Sequence, residues 1–181
     1  EGQQLDIDFE TMHKVDLKEY LKMISYKTAV LVGASLQMGA IICKASLEDQ
    51  KGIYNFGLNL GLAFQLQDDY LDTFGAQDFG KKIGGDIVES KKTFLYIKAL
   101  ELADSKDKDL LLNLYGDTDD EDKKIAEVKS IFLKYRVGEL LLAEIEKYTI
   151  KALADIDALS LDHSKQELLK GFAMSLMTRK T

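Results

Sequence analysis

The run Phe64-Gln65-Leu66-Gln67-Asp68-Asp69-Tyr70-Leu71-Asp72 carries the densest chemistry in the sequence. On a helix each residue advances about 100°, which places Asp68 and Asp72 about 40° apart on adjacent turns of one face. Gln65 falls on the same side, about 60° from Asp68. Three carboxylates and an amide thus crowd one stretch of helix whose other residues, Leu60, Leu62, Ala63, Leu66 and Leu71, are apolar. Like charges so close to a core are costly unless a cation neutralises them. Hard oxygen ligands of this kind suit Mg²⁺, which keeps several waters and completes its shell with substrate phosphates. An exposed acidic stripe is the other reading of the same spacing.

Lysines supply the opposite charge. Lys27 and Thr28 stand in a segment otherwise short of charge, Tyr26-Lys27-Thr28-Ala29-Val30-Leu31. Gly80-Lys81-Lys82-Ile83-Gly84-Gly85-Asp86 puts ammonium groups on a glycine-bearing loop, where backbone and side chain can both approach an anion. Lys91, Lys92 and Thr93 then open a predicted helix, whose N-terminal amides add positive potential. Any one of these lysines alone reads as a solvated surface charge. Together with the carboxylates they are the equipment for holding a diphosphate.

The elements that must position these residues are helical nearly throughout. Asp16 with Glu19 gives a capping-box start, and apolar residues at helical spacing run from there to Cys43. A second helix is predicted over about 47–74, ending at Gly75, with a loop over 75–90. Further helices are predicted over 92–103 and 107–115, a long one over 121–159, and a last one over 164–177. The fold class is all-α, and residues 1–181 read as a single domain. The apolar stretch Thr28–Cys43 is interrupted by Gly33, Ser35, Gln37 and Gly39, so it reads as a buried core helix rather than a membrane span.

Composition narrows the function. Of 181 residues, 24 are basic and 31 acidic, giving a net charge of −7, and proline is absent. An acidic surface argues against nucleic acid or an anionic membrane as the main partner, and nothing points to stable membrane insertion. The only cysteine, Cys43, excludes an internal disulfide framework and a cysteine-based zinc site. It fits a reducing, cytoplasmic compartment, and its position after an apolar run reads as core. His13 and His163 are isolated and receive no catalytic role. Gly33, Gly39, Gly57 and Gly61 sit in predicted helices, where close helix packing is the expected reason.

Five ordered motifs carry a resemblance. Gly2-Gln3 with Asp6, Lys27-Thr28, Phe64-Gln65 followed by Asp68, Asp69 and Asp72, Gly80-Lys81 with Gly84 and Asp86, and finally Lys91 are similar to the C-terminal part of a trans-isoprenyl diphosphate synthase. That is the polyprenyl synthetase family. The resemblance covers about residues 1–100, and the remainder matches only as helices.

It implies an isoprenoid-synthase bundle of helices around a cavity, with two aspartate-rich motifs facing each other and Mg²⁺ shared between them. Asp68 becomes the main metal ligand of the second motif, with Asp69 and Asp72 acting directly or through metal-bound water. Lys27 and Lys81 contact the allylic diphosphate, and Lys91 helps neutralise the leaving group. Thr28 and Gln65 lie beside the isoprenoid chain, where their dipoles stabilise positive charge; Phe64 packs against isopentenyl diphosphate. The implied enzyme is a Mg²⁺-dependent prenyltransferase lengthening a linear prenyl diphosphate, commonly as a homodimer. A catalytically silent subunit of a heteromeric synthase and a class I terpene cyclase are the alternatives. The family's first aspartate motif lies N-terminal to the GQ motif, with which this sequence opens. The acidic run around Asp120 has the wrong spacing to replace it. The expectation is therefore a portion of a longer enzyme, without turnover if these residues were the whole molecule.

Overall fold

A computed structural model describes residues 1–12, 14–75, 83–116 and 120–178, and all regular structure among them is helical. The helices are α1 (Gly2–Thr11), α2 (Leu17–Ile24), α3 (Val30–Ile42), α4 (Leu47–Phe74), α5 (Gly85–Val88), α6 (Phe94–Leu102), α7 (Ser105–Leu114), α8 (Glu121–Lys134), α9 (Val137–Asp157) and α10 (His163–Met177). A π-helical turn, Ser25–Ala29, joins α2 to α3. Asp16 closes the expected capping box: its Oδ1 accepts from the Glu19 amide and Glu19 Oε2 accepts from the Asp16 amide. Such a cap contributes about 1 kcal/mol to starting α2.

The 28-residue α4 runs through the centre, against α9 on one side and α3 with the π turn on the other. Phe56, Leu60, Leu62, Ala63 and Leu66 are all buried along it. Each large apolar side chain so placed contributes about 1.5–3 kcal/mol. Close approach sets the crossing with the π turn. A Cβ on Gly61 would lie 2.6 Å from Ala29 Cα, and one on Gly2 would lie 2.1 Å from the Lys27 amide nitrogen. Gly33 and Gly57 likewise face each other at backbone contact, whereas Gly39 has nothing near it, so the packing explanation fails for that residue.

Several boundaries differ from the sequence reading. The acidic N-terminus forms α1, held by buried Phe9. The predicted 121–159 helix is broken between α8 and α9 by Arg136, which adopts φ 54°. No proline marks the break, and Gly138 falls inside the first turn of α9 rather than at the left-handed residue, so the helical period runs on across it in the sequence. Helix α6 begins at Phe94, leaving Lys91 and Lys92 in the preceding turn. Helix α3 is not a buried core helix: Gly33 is its buried residue, while Leu31 is 69% and Ile42 80% exposed. A helix that is apolar all round gives no sequence signal for which side is covered. Cys43, at its end, is exposed rather than core. No helix among the described residues is long and apolar enough to cross a membrane.

Candidate active site

The C-terminal third of α4 delivers Gln65, Asp68, Asp69 and Asp72 to one cavity of about 290 Å³. Helix α1, the α2 segment and the chain between α5 and α6 supply the other walls. Six carboxylates line it (Asp6, Glu10, Asp68, Asp69, Asp72 and Asp86) against three lysines (Lys27, Lys91 and Lys92) among the described residues. Among the described residues the lining is thus predominantly acidic, and the acids are partly withdrawn from water rather than forming an exposed stripe.

Asp69 is the deepest of them, 6% exposed. The Tyr20 hydroxyl donates to its Oδ2 at 2.5 Å, and Gln65 Nε2 donates to its Oδ1 at 3.3 Å. Burial, reinforced by the charge of Asp86, pushes the Asp69 carboxyl up to about 7, although both donated hydrogen bonds pull the other way. Burial and the neighbouring Asp69 charge push the Tyr20 phenol up in turn. The chain of polar contacts extends one step further, because the Thr28 hydroxyl donates to Gln65 Oε1 at 3.1 Å.

Lys27 and Thr28 belong to the π turn, whose wider winding is a common device for aiming side chains at a site. The backbone there lies against Gly2, so α1 is seated beside it and Asp6 meets Lys27 Nζ at 2.5 Å. Lys27 is therefore an ion-paired wall of the cavity rather than a surface lysine.

The third wall is a tight turn built on Asp72. Gly84 adopts φ 87° and donates its amide to the Asp72 carbonyl at 2.7 Å. The Asp86 amide then donates to Asp72 Oδ2 at 3.0 Å, so the glycine-rich backbone addresses an anion of the chain itself. Lys91 Nζ pairs with Asp86 at 2.9 Å and Glu89 at 2.8 Å. Burial opposes its charge, yet these hydrogen bonds hold its pKa well above the usual lysine range. Lys92 Nζ donates to the carbonyls of Phe9 and Glu10, fastening the C-terminal end of α1. Burial lowers its pKa.

Of the residues expected from sequence, Lys27, Gln65, Asp68, Asp69, Asp72 and Lys91 line the cavity. Thr28 stands behind it, bonded to Gln65. Phe64, partly buried on α4, is not part of this lining. Lys81 lies outside the described residues. Sequence reasoning counted Lys92 among the lysines near the carboxylates, and it lines the cavity; it missed Tyr20, and it gave Asp6 and Asp86 no role. Tyr20 precedes Lys27 by about two helical turns, so the shared face was a usable signal.

The donor set fits a hard divalent cation. No group of three or more His, Cys, Asp or Glu side chains among the described residues is arranged to hold a metal ion. Mg²⁺ needs none, since one or two carboxylates plus phosphate oxygens and water complete its shell. Asp68, Asp69 and Asp72 all line the cavity and are the carboxylates of the α4 motif that could provide them. Each oxygen of Asp69 already accepts one hydrogen bond, from Tyr20 and from Gln65, which leaves a lone pair on each.

The sequence profile described as Polyprenyl synthetase matches residues 1–132. The chain belongs to the polyprenyl synthetase family. The short chain isoprenyl diphosphate synthase of Methanothermobacter thermautotrophicus is 41% identical over 140 residues, 77% of this chain and 42% of that protein. The geranylgeranyl diphosphate synthase of Sulfolobus acidocaldarius is 38% identical over 169 residues, 93% and 50% of the two chains. The crystal structure of a geranylgeranyl pyrophosphate synthase superposes with a TM-score of 0.90 at 45% identity, covering 99% of this chain and 57% of that one. The Pyrococcus horikoshii synthetase gives 0.88 at 33% identity, covering 98% and 54%. The chain spans about half the length of the curated relatives it matches.

Proposed function

We propose that the cavity is the half of a prenyltransferase site that binds Mg²⁺ and the allylic diphosphate. The reaction joins an allylic diphosphate to isopentenyl diphosphate and yields a longer linear prenyl diphosphate. The observation that carries the reading is the convergence of Gln65, Asp68 and Asp72 from α4 with Lys27 from the π turn on one cavity. In that reaction the allylic C–O bond breaks with release of diphosphate, and the isopentenyl double bond forms the new C–C bond. A proton then leaves, to the released diphosphate. Mg²⁺ bound there neutralises phosphate charge and so makes diphosphate a better leaving group.

The chain's own residues divide the remaining work. Asp68 and Asp72 present carboxylate oxygens for the metal. Lys27, held in place by Asp6, and Lys91, held by Asp86, face the departing charge. Lys81 is assigned the same task from the sequence motif. Gln65 and Thr28 keep a fixed dipole beside the position where allylic cation character develops. Tyr20 orients Asp69. Phe64 is assigned to the isopentenyl side from the motif alone.

The names of the similar proteins favour chain elongation over a silent subunit or a cyclase. The test is equilibrium binding of labelled geranyl diphosphate with and without Mg²⁺, competed by inorganic pyrophosphate. Mg²⁺-dependent, pyrophosphate-competed binding is expected. Binding indifferent to both would sink the assignment.

A further inference from the structure

Helix α8 carries a lysine that the reading above does not use. Lys124 is 4% exposed, although ammonium groups are among the costliest to bury. Its Nζ donates to the Val88 carbonyl at 3.1 Å and to Ser90 Oγ at 2.7 Å, and sits 5.6 Å from the centre of the Tyr115 ring. Both acceptors lie at the C-terminal end of α5, a helix of four residues that is too short to hold itself. Ser90 takes φ 55°, a left-handed conformation that side-chain-bearing residues rarely adopt.

That turn matters for the site because it reverses the chain. The Ser90 amide donates to Ile87, and the Lys91 amide returns to the Asp86 carbonyl at 2.9 Å. The reversal sets Lys91 Nζ on Asp86 Oδ1 at 2.9 Å, while the Asp86 amide donates to Asp72. An anchor on Ser90 therefore acts on three cavity residues without touching any of them.

We propose that Lys124 is a positioning residue, pinning the left-handed Ser90 turn so that Lys91 and Asp86 stand against Asp72 at the mouth of the diphosphate site. This rests on the cavity being a Mg²⁺–diphosphate site. The test reads amide hydrogen exchange at Ser90 and Lys91, together with calorimetric affinity for inorganic pyrophosphate in MgCl₂. Methionine fills similar volume without the ammonium. Lys124→Met is expected to speed exchange at both amides and to weaken pyrophosphate binding by about tenfold, the equivalent of ~1.4 kcal/mol.

Ser90→Gly in the Lys124→Met background frees the turn from its conformational constraint and is expected to move both readouts back toward the parent. A merely structural lysine gives no such recovery. Ser90→Ala removes the acceptor while keeping the lysine, and carries the same prediction if Lys124→Met does not fold. Unchanged exchange and affinity in a parent that binds pyrophosphate overturns the role of Lys124 alone, as does a double variant no better than Lys124→Met. A parent that binds no pyrophosphate overturns the cavity reading, and this role with it.

Discussion

Replacing Tyr20 by phenylalanine removes one oxygen from the best-defined polar contact in the cavity and leaves the ring to pack as before. Tyr20 is 1% and Asp69 6% exposed, so water replaces the lost donor at best from the cavity side. The cost depends on the charge of Asp69. A hydrogen bond between neutral groups is worth about 0.5–1.5 kcal/mol, whereas one to a charged group is worth about 1.5–3 kcal/mol.

Because the folded carboxyl is pushed up to about 7, above its unfolded value, ionising Asp69 opposes folding. Its favourable contribution is fully present below the unfolded value of 3.8 and is lost as pH rises through about 7. The ceiling on that loss is roughly 4 kcal/mol, from about three units at ~1.36 kcal/mol each. The Tyr20 hydroxyl favours the ionised form, so deleting it pushes the carboxyl higher and enlarges the loss. Urea denaturation in EDTA at pH 5 and pH 8 measures both quantities. Tyr20→Phe is expected to cost about 1 kcal/mol at pH 5 and about 2–3 kcal/mol at pH 8. An equal cost at the two pH values would refute the linkage argument.

Other substitutions probe separate parts of the account. Asp68→Ala is expected to weaken Mg²⁺-dependent pyrophosphate binding by about a hundredfold, ~2.7 kcal/mol. Its melting temperature should hold or rise, since like-charge repulsion is relieved; retained affinity would take Asp68 out of the site. Gly61→Ala forces a Cβ to 2.6 Å from Ala29 Cα and should lower stability by about 1–3 kcal/mol. In Gly39→Ala the new methyl group meets nothing, and a gain of up to ~1 kcal/mol is expected from helix propensity. Equal effects at the two glycines, read by denaturant midpoint, would contradict the packing assigned to α4 and the π turn. Arg136→Gly relieves φ 54° at the α8–α9 junction, at the cost of an exposed ion pair with Glu139. A net gain near 0.5 kcal/mol is expected in thermal melting, and a marked loss would show that the arginine side chain holds the junction.

Much of this molecule could be read from spacing. The three- and four-residue period located α4 within a residue or so, and the turn arithmetic for Gln65, Asp68 and Asp72 placed them on one cavity. What escaped had physical causes. The α8–α9 break rests on one arginine in a left-handed conformation, which no local rule selects. The exposed side of α3 escaped because its apolar residues surround the helix, so covered and bare sides share one composition. Tyr20 reaches the cavity by a tertiary contact with Asp69, across a sequence separation of 49 residues. Its spacing from Lys27 marked the face it lies on, but no local pattern names Asp69 as its partner. Of the glycine-bearing loop read as able to approach an anion, residues 80–82 lie outside the described residues, and in the remainder the Asp86 amide donates to the Asp72 carboxylate.

Anomalous diffraction from a crystal containing Mn²⁺ in place of Mg²⁺, together with inorganic pyrophosphate, tests the central claim most directly. The account predicts a manganese peak between the Asp68 carboxylate and the pyrophosphate oxygens, with Lys27 and Lys91 turned toward the same anion. Manganese bound elsewhere, or pyrophosphate held away from α4, would contradict it.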